Sequence, residues 1–463
     1  MDGKTGSRYR QLAEAMRTRI LSGELSPGAR LPTVRASARE HGLSPQTVLA
    51  AYELLRNWGL ISAQVGNGTF VARRLLADAA RDRLSQLPES GPFAEFEPVS
   101  EGGGLRSLAS AVPDPHFFRS DDLMAELREV AADPWAFYYA PAQGAPELRD
   151  ALATRMRSAA IAADDESVFV TLGAGHAIGL LLDMLCDRGD VVIVQAPGFL
   201  GAPSFFESRD LRVVWVDASP DGIDPDQFRK AAHEGARVAL VWPDFGPATG
   251  TRWSEPARGA FLRQAEKLDV RVIEDGHFAP LDFKLPLAPI SAASKDVLYV
   301  DALSAYLSPG VRIGWIRCSS PELRRSMAMR LSQADGSGVL FLQRAVAGFL
   351  RRGLLDDHLD RVIPRYRERC DAMMASLRRH MPKGVSWSDA GGGLSLWVRT
   401  PDDLVVRDLY TAALRQGVSF APGELFNTMP DCEHRVRLCF GAQPPGAIDG
   451  AISTLARLLS YPR

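Results

Sequence analysis

Apolar residues recur along the chain in two rhythms, and the change from one to the other divides it. Near the start, Tyr9, Leu12, Met16 and Ile20 fall at helical spacing, and the breaker-rich run from Ser22 to Pro32 ends that helix. Thr33 is placed to cap a short helix through His41, Gly42 turns the chain, and Ser44 caps a third helix. That third helix carries Val48, Ala51, Tyr52 and Leu55 on one face, which is helix-turn-helix spacing. After Gly59, L-I-S-A-Q-V-G-N-G-T-F-V-A predicts two short strands joined at Gly66-Asn67-Gly68, a hairpin that forms a wing.

Residues 75–105 then pass from an Arg/Asp-rich stretch into P-E-S-G-P and E-G-G-G, the composition of a tether. From Ser107 onward, short apolar runs alternate with helical patterns. The runs are 168–172, 191–194, 213–216, 238–242, 270–273, 297–300 and 313–316. They predict an α/β sheet of largely buried strands. The domains expected are 1–74, a linker at 75–105, and 106–463.

A chain of 463 residues that is 46% hydrophobic and 24% charged is neither disordered nor fibrous. It has no apolar run near the ~20 residues that cross a bilayer, and MDGKTGSRYRQ lacks a signal-peptide core, so a cytoplasmic protein without a membrane partner is expected. Five cysteines without a C-x-x-C pair suggest reduced, small buried residues and no metal. Charge sharpens the division: residues 1–74 carry a net +6, leaving −8 for the remainder. Local positive charge nominates phosphate as a partner for the first module.

The strings G-E-L-S-P-G-A-R-L-P-T-V-R, L-S-P-Q-T-V-L-A-A-Y-E-L-L and G-N-G-T-F-V resemble the winged helix of the GntR family of bacterial transcription regulators. The resemblance implies contacts to double-stranded promoter DNA from Arg35, from Ser44, Gln46 and Thr47 at the start of the third helix, and from Gly66 or Gly68 at the wing tip. Physical chemistry agrees with these roles. Arg35 offers a fork to phosphate or guanine, a helix N-terminus holds phosphate, and a glycine tip lets backbone enter a groove. Pro45 stands where relatives usually carry arginine, which removes one base- or phosphate-reading side chain.

Farther on, Y-Y-A-P-A-Q-G-A-P-E-L-R (138–149), L-G-A-G-H-A (172–177), A-P-G-F (196–199), P-A-T-G (247–250), I-E-D-G-H (273–277), S-A-Y-L-S-P-G-V-R-I-G-W (304–315) and R-L-C-F (437–440) follow the order of fold-type-I aminotransferases. A GntR module joined to such a domain resembles the MocR-like subfamily. The fold so implied is a winged helix-turn-helix joined to a large α/β aminotransferase-like domain with a smaller α+β subdomain.

In the family motif S-K-x-x-x-P-G-x-R, the lysine that binds pyridoxal phosphate falls at Ala305, whose methyl group can neither form an imine nor take a proton. His277 stands at the place of a tyrosine, and Pro247 at that of an asparagine, so the departure is wider than one engineered change. Lys295 and Lys284 are expected to be solvated. Matches remain at Asp275 (pyridine nitrogen), Phe199 (ring stacking), Ser304 and Arg312 (phosphate), the helix start Gly173-Ala174-Gly175 (phosphate) and Arg437 (substrate carboxylate). An alternative has Asp275 and Arg312 paired with each other or with neighbours and Arg437 in a structural salt bridge; His358 is expected to cap or pack a helix of the smaller subdomain.

The expectation is a homodimeric, nucleoid-associated regulator. Its second domain senses an unknown small-molecule effector without Schiff-base chemistry, and pyridoxal phosphate or a related phosphorylated ligand binds only non-covalently. The alternative is a pyridoxal-phosphate enzyme disabled by loss of its lysine.

Overall fold

A computed structural model describes residues 5–21, 24–25, 28–57, 60–64, 68–71, 105–333 and 338–460. The chain divides into two compact units, Met1–Glu97 and Pro98–Arg463.

In the first unit, α1 (Thr5–Leu21), α2 (Val34–His41) and α3 (Pro45–Asn57) precede a hairpin of β1 (Ile61–Gln64) and β2 (Gly68–Val71). The helices begin and end where their caps dictate. Thr33 Oγ1 accepts the Ala36 N–H at 3.3 Å, and Gly42 closes α2 in the left-handed region at φ +60°. The predicted faces are the buried ones: Leu12, Met16, Ile20, Val48, Ala51, Tyr52 and Leu55 form one core with Leu31, Ile61 and Val71. Tyr52 O–H donates to the Pro32 carbonyl at 2.8 Å and ties the turn before α2 to α3.

The second unit opens with β3 (Arg106–Ser107) and is built on an eight-stranded sheet. Its strands are β4 (Val168–Thr171), β5 (Val191–Ala196), β6 (Arg212–Ser219), β7 (Gly222–Ile223), β8 (Val238–Val241), β9 (Arg271–Asp275), β10 (Leu298–Ala302) and β11 (Gly314–Arg317). Their order is β4-β11-β10-β9-β8-β5-β6-β7. The central pairs β10/β9, β9/β8, β8/β5 and β5/β6 are parallel, whereas β11 runs antiparallel to both of its neighbours. Every residue of β4, β5, β8, β10 and β11 is buried, as unbroken apolar runs require of strands covered on both faces.

A smaller subdomain follows. It pairs β12 (Ser386–Trp387), β13 (Ser395–Arg399), β16 (Arg435–Cys439) and β15 (Ala421–Pro422) antiparallel, beside the long helix Leu354–His380. Strand β14 (Val418–Ser419) pairs parallel with β3, so the start of the unit is built into this subdomain. Among the described residues, no helix is long and apolar enough to cross a membrane.

Candidate functional site

Two surfaces collect the residues singled out by sequence. On the first unit, Ser44 Oγ accepts the Thr47 N–H at 3.1 Å and lies 2.8 Å from Thr47 Oγ1, a cap that fixes where α3 starts. Arg35, Ser44, Pro45 and Gln46 are exposed, while Thr47 is buried with its hydroxyl held by Ser44. Thr47 therefore shapes the helix end and presents little of itself. Gly68 is exposed at φ +114°, and Gly66 lies outside the described residues.

Arg30 is a member that sequence reasoning missed. Residues 28–31 pair with β2 through Leu31 N–H to Thr69 O (2.8 Å) and Val71 N–H to Ala29 O (2.9 Å). This pairing lays the exposed Arg30 guanidinium beside Gly68, where a Cβ would stand 3.0 Å from Nε. The only sequence signal was its place in G-A-R-L-P.

The second surface lies at the carboxyl ends of β8, β9 and β10, the usual ligand end of an α/β sheet. Val241 and Glu274 are register partners, so the residues that follow them, Trp242 and Asp275, share a face. Trp242 Nε1–H donates to Asp275 Oδ2 at 2.9 Å. Asp275 Oδ1 receives His277 Nδ1 at 2.8 Å and the His277 backbone N–H at 3.2 Å. Asp275 is only 2% exposed, and both of its oxygens are engaged. Phe199 packs edge-on against Trp242, with centroids 6.2 Å apart.

Burial works against a charged imidazole at His277, but the charge and hydrogen bond of Asp275, with the charge of Asp301, outweigh it and raise its pKa. Asp301, at the end of β10, was not anticipated. Its carboxylate accepts the Ala302 N–H at 2.6 Å and the phenols of Tyr299 and Tyr306 at 3.3 Å each. Burial pushes its pKa up to about 7, against the pull of Arg155, the Ala302 N–H and His277. An acid closing the apolar run V-L-Y-V was the available signal.

Ala305 is 4% exposed and belongs to the apolar cluster of Phe278, Leu281, Tyr299 and Tyr306. Ser304 beside it is half-buried. Of the six lysines in the chain, Lys230, Lys267, Lys284, Lys295 and Lys383 are all exposed, and Lys4 lies outside the described residues. Lys295 precedes β10, at the opposite end of that strand from Ala305, and its carbonyl receives Arg317 Nη1 at 2.9 Å.

Gly173 caps the helix Ala174–Leu185 at φ +107°. Close passage of β11 requires glycine there too, since a Cβ on Gly314 would lie 2.7 Å from the Gly173 Cα. Arg312 is exposed, donates to the Leu172 carbonyl and lies against Gly173. His176 Nδ1 accepts the Leu172 N–H at 3.1 Å; burial and the Arg312 charge lower its pKa. The exposed Gly175 and Arg312 and the half-buried His176 thus lie together at the start of that helix.

Asp275 and Arg312 do not pair with each other: Trp242 and His277 take the aspartate, and a backbone carbonyl takes the arginine. Among the described residues Arg437 likewise makes no salt bridge. It is 3% exposed and donates to Pro247 O at 3.1 Å and Ala109 O at 2.6 Å. It also stacks 4.7 Å from the Phe426 centroid, and its buried Nε has no hydrogen-bond partner among the described residues. Burial lowers its pKa. His358 packs as expected, buried, with Nε2 2.9 Å from the Tyr306 carbonyl. All five cysteines are free thiols; Cys318, Cys370 and Cys439 are buried, and Cys186 and Cys432 are half-buried.

These donors do not fit a lysine-linked pyridoxal phosphate. Position 305 offers a methyl group, and the carboxylate that would face a ring nitrogen is already bonded to Trp242 and His277. The remaining cationic and N–H groups suit a small anion held without a covalent bond.

Residues 110–455 match the model of the class I and II aminotransferases, and residues 8–71 that of the gntR family of bacterial regulatory proteins. The chain is 26% identical to the uncharacterized HTH-type transcriptional regulator YdfD of Bacillus subtilis, covering 90% of both chains. It is 28% identical to the probable rhizopine catabolism regulatory protein MocR of Rhizobium meliloti, over 89% of this chain and 86% of that one. In structure it is similar to the α-aminoadipate aminotransferase LysN of Thermus thermophilus, with a TM-score of 0.74 and 26% identity, over 81% of this chain and 96% of that one.

Proposed function

The chain belongs to the class I and II aminotransferase family and joins that domain to a GntR-type one, as MocR-like regulators do, and from this premise we propose a transcription regulator whose second domain senses without catalysing. The observation that carries the proposal is Ala305, a buried methyl group at the position where the chemistry needs an amine. The effector is a small anion held by Arg437, Arg312 and the helix start at Gly173-Ala174-Gly175. Pyridoxal phosphate, if it enters, does so non-covalently.

The active form is a homodimer. A contiguous aromatic surface supports this: Trp135, Phe137, Tyr138 and Tyr139 are exposed, Tyr139 by 88%, and Phe137 stacks on Phe341 at 5.5 Å. A patch of this kind marks an interface, and a second copy would set two winged helices on two half-sites.

Native mass spectrometry of the purified full-length chain, before and after denaturation, tests the proposal. A dimer that carries a small molecule released on unfolding is expected, and adding that molecule back should change the retardation of promoter DNA. A monomer, or a mass still attached to the unfolded chain through a lysine, would contradict it.

A further inference from the structure

The recognition helix α3 carries an unusual outward face. Its first eleven residues, 45–55, contain neither lysine nor arginine; Arg56 in the last turn is its one cation. The other exposed arginines of this unit sit elsewhere, at Arg8 and Arg10 on α1, at Arg30 beside the wing and at Arg35 and Arg39 on α2. Steps of three and four residues put Gln46, Leu49 and Glu53 on one stripe, all exposed, opposite the buried Val48, Ala51, Tyr52 and Leu55.

Leu49 is the odd member of this stripe. It is 48% exposed and stands outside the core that α1, α2, α3 and the hairpin build, so the fold gains little from an apolar side chain there. Pro45 and Ala50 flank it with further apolar surface. In the major groove the commonest specific contact is an arginine or lysine fork onto guanine, which this stretch cannot make. What it offers instead is an amide that can fork onto adenine N6 and N7, and a branched alkyl group that fits the C5-methyl of thymine. Glu53 has only acceptors and adds nothing to methyl recognition.

Building on the DNA-binding function proposed above, we infer that α3 reads A·T pairs, with Leu49 packing on a thymine methyl and Gln46 on an adenine one turn earlier. The arginines of α2 and the wing base then hold phosphates, and Leu49 determines specificity.

The test selects binding duplexes from a random pool with the full-length protein, then replaces each thymine of the enriched half-site by uracil, which removes only the methyl group. One replacement in a single half-site should weaken binding about fourfold, the worth of one buried methyl. Leu49→Ala should bind thymine and uracil duplexes alike, and Leu49→Arg should enrich guanine at that base pair. As Leu49 is exposed and outside the core, both variants should fold. Enrichment of half-sites whose thymines tolerate uracil, or an equal uracil penalty in Leu49→Ala, would overturn the inference and leave the regulator function standing. A pool from which no sequence is enriched would overturn both.

Discussion

The two units treat their polar groups in opposite ways. On the winged helix, Arg35, Gln46 and Arg30 point outward, and the capping bonds of Thr33 and Ser44 serve only to fix the helices that carry them. At the carboxyl end of the large sheet the polar groups turn on one another: Trp242 and His277 on Asp275, and Tyr299 and Tyr306 on Asp301. A surface that binds a long polyanion must keep its donors free. A buried carboxylate such as Asp275 must be satisfied by its own neighbours or cost stability.

The contrast can be broken most sharply at His277. Replacing it by alanine removes the imidazole from a buried carboxylate, which should cost about 3 kcal/mol of stability, as broken buried pairs do. Urea unfolding would show the loss, while DNA affinity measured below the transition should not change. Unchanged stability would mean that Asp275 does not depend on its neighbour.

Arg35→Ala should do the reverse, costing about 1–3 kcal/mol of DNA binding with no change in unfolding. Gel-shift titration measures it. The salt dependence of binding should also become shallower if Arg35 meets a phosphate.

A smaller effect concerns pH. With a pKa near 7 when folded, Asp301 binds a proton that the unfolded chain has already released, so stability falls as pH rises from about 4 to 7. His277, raised in the folded state, acts in the same direction: its contribution is complete below the unfolded histidine value and is lost as pH rises through the folded one. Asp301→Asn should flatten this slope and stabilise the protein by about 1 kcal/mol at pH 8. An unaltered slope in chemical denaturation across that range would contradict the assignment.

Sequence disclosed α2 and the start of α3 almost to the residue because their boundaries are set locally, by Thr33, Gly42 and Ser44, and the core of the first unit by one face of each helix. The seven strand runs were equally legible as continuous apolar stretches, which five of them owe to burial on both faces, whereas the run in β6 is mostly half-buried. Strands β12, β14 and β15 were not, because two residues carry no period. Nor were the partners of the site residues. Arg437 meets carbonyls of Ala109 and Pro247, 328 and 190 residues away in sequence. Asp301 meets the Tyr306 phenol because the turn after β10 folds back.

Borohydride reduction of the native full-length protein after incubation with pyridoxal phosphate, followed by peptide mass mapping, puts the absence of Schiff-base chemistry to the most direct test. No Schiff-base absorption, no pyridoxyl mass in the 300–320 segment and no stoichiometric adduct at any other lysine are expected. A stoichiometric adduct at Lys295 or Lys284, accompanied by that absorption, would show that another amine has taken over and that the pocket still performs the chemistry of its family.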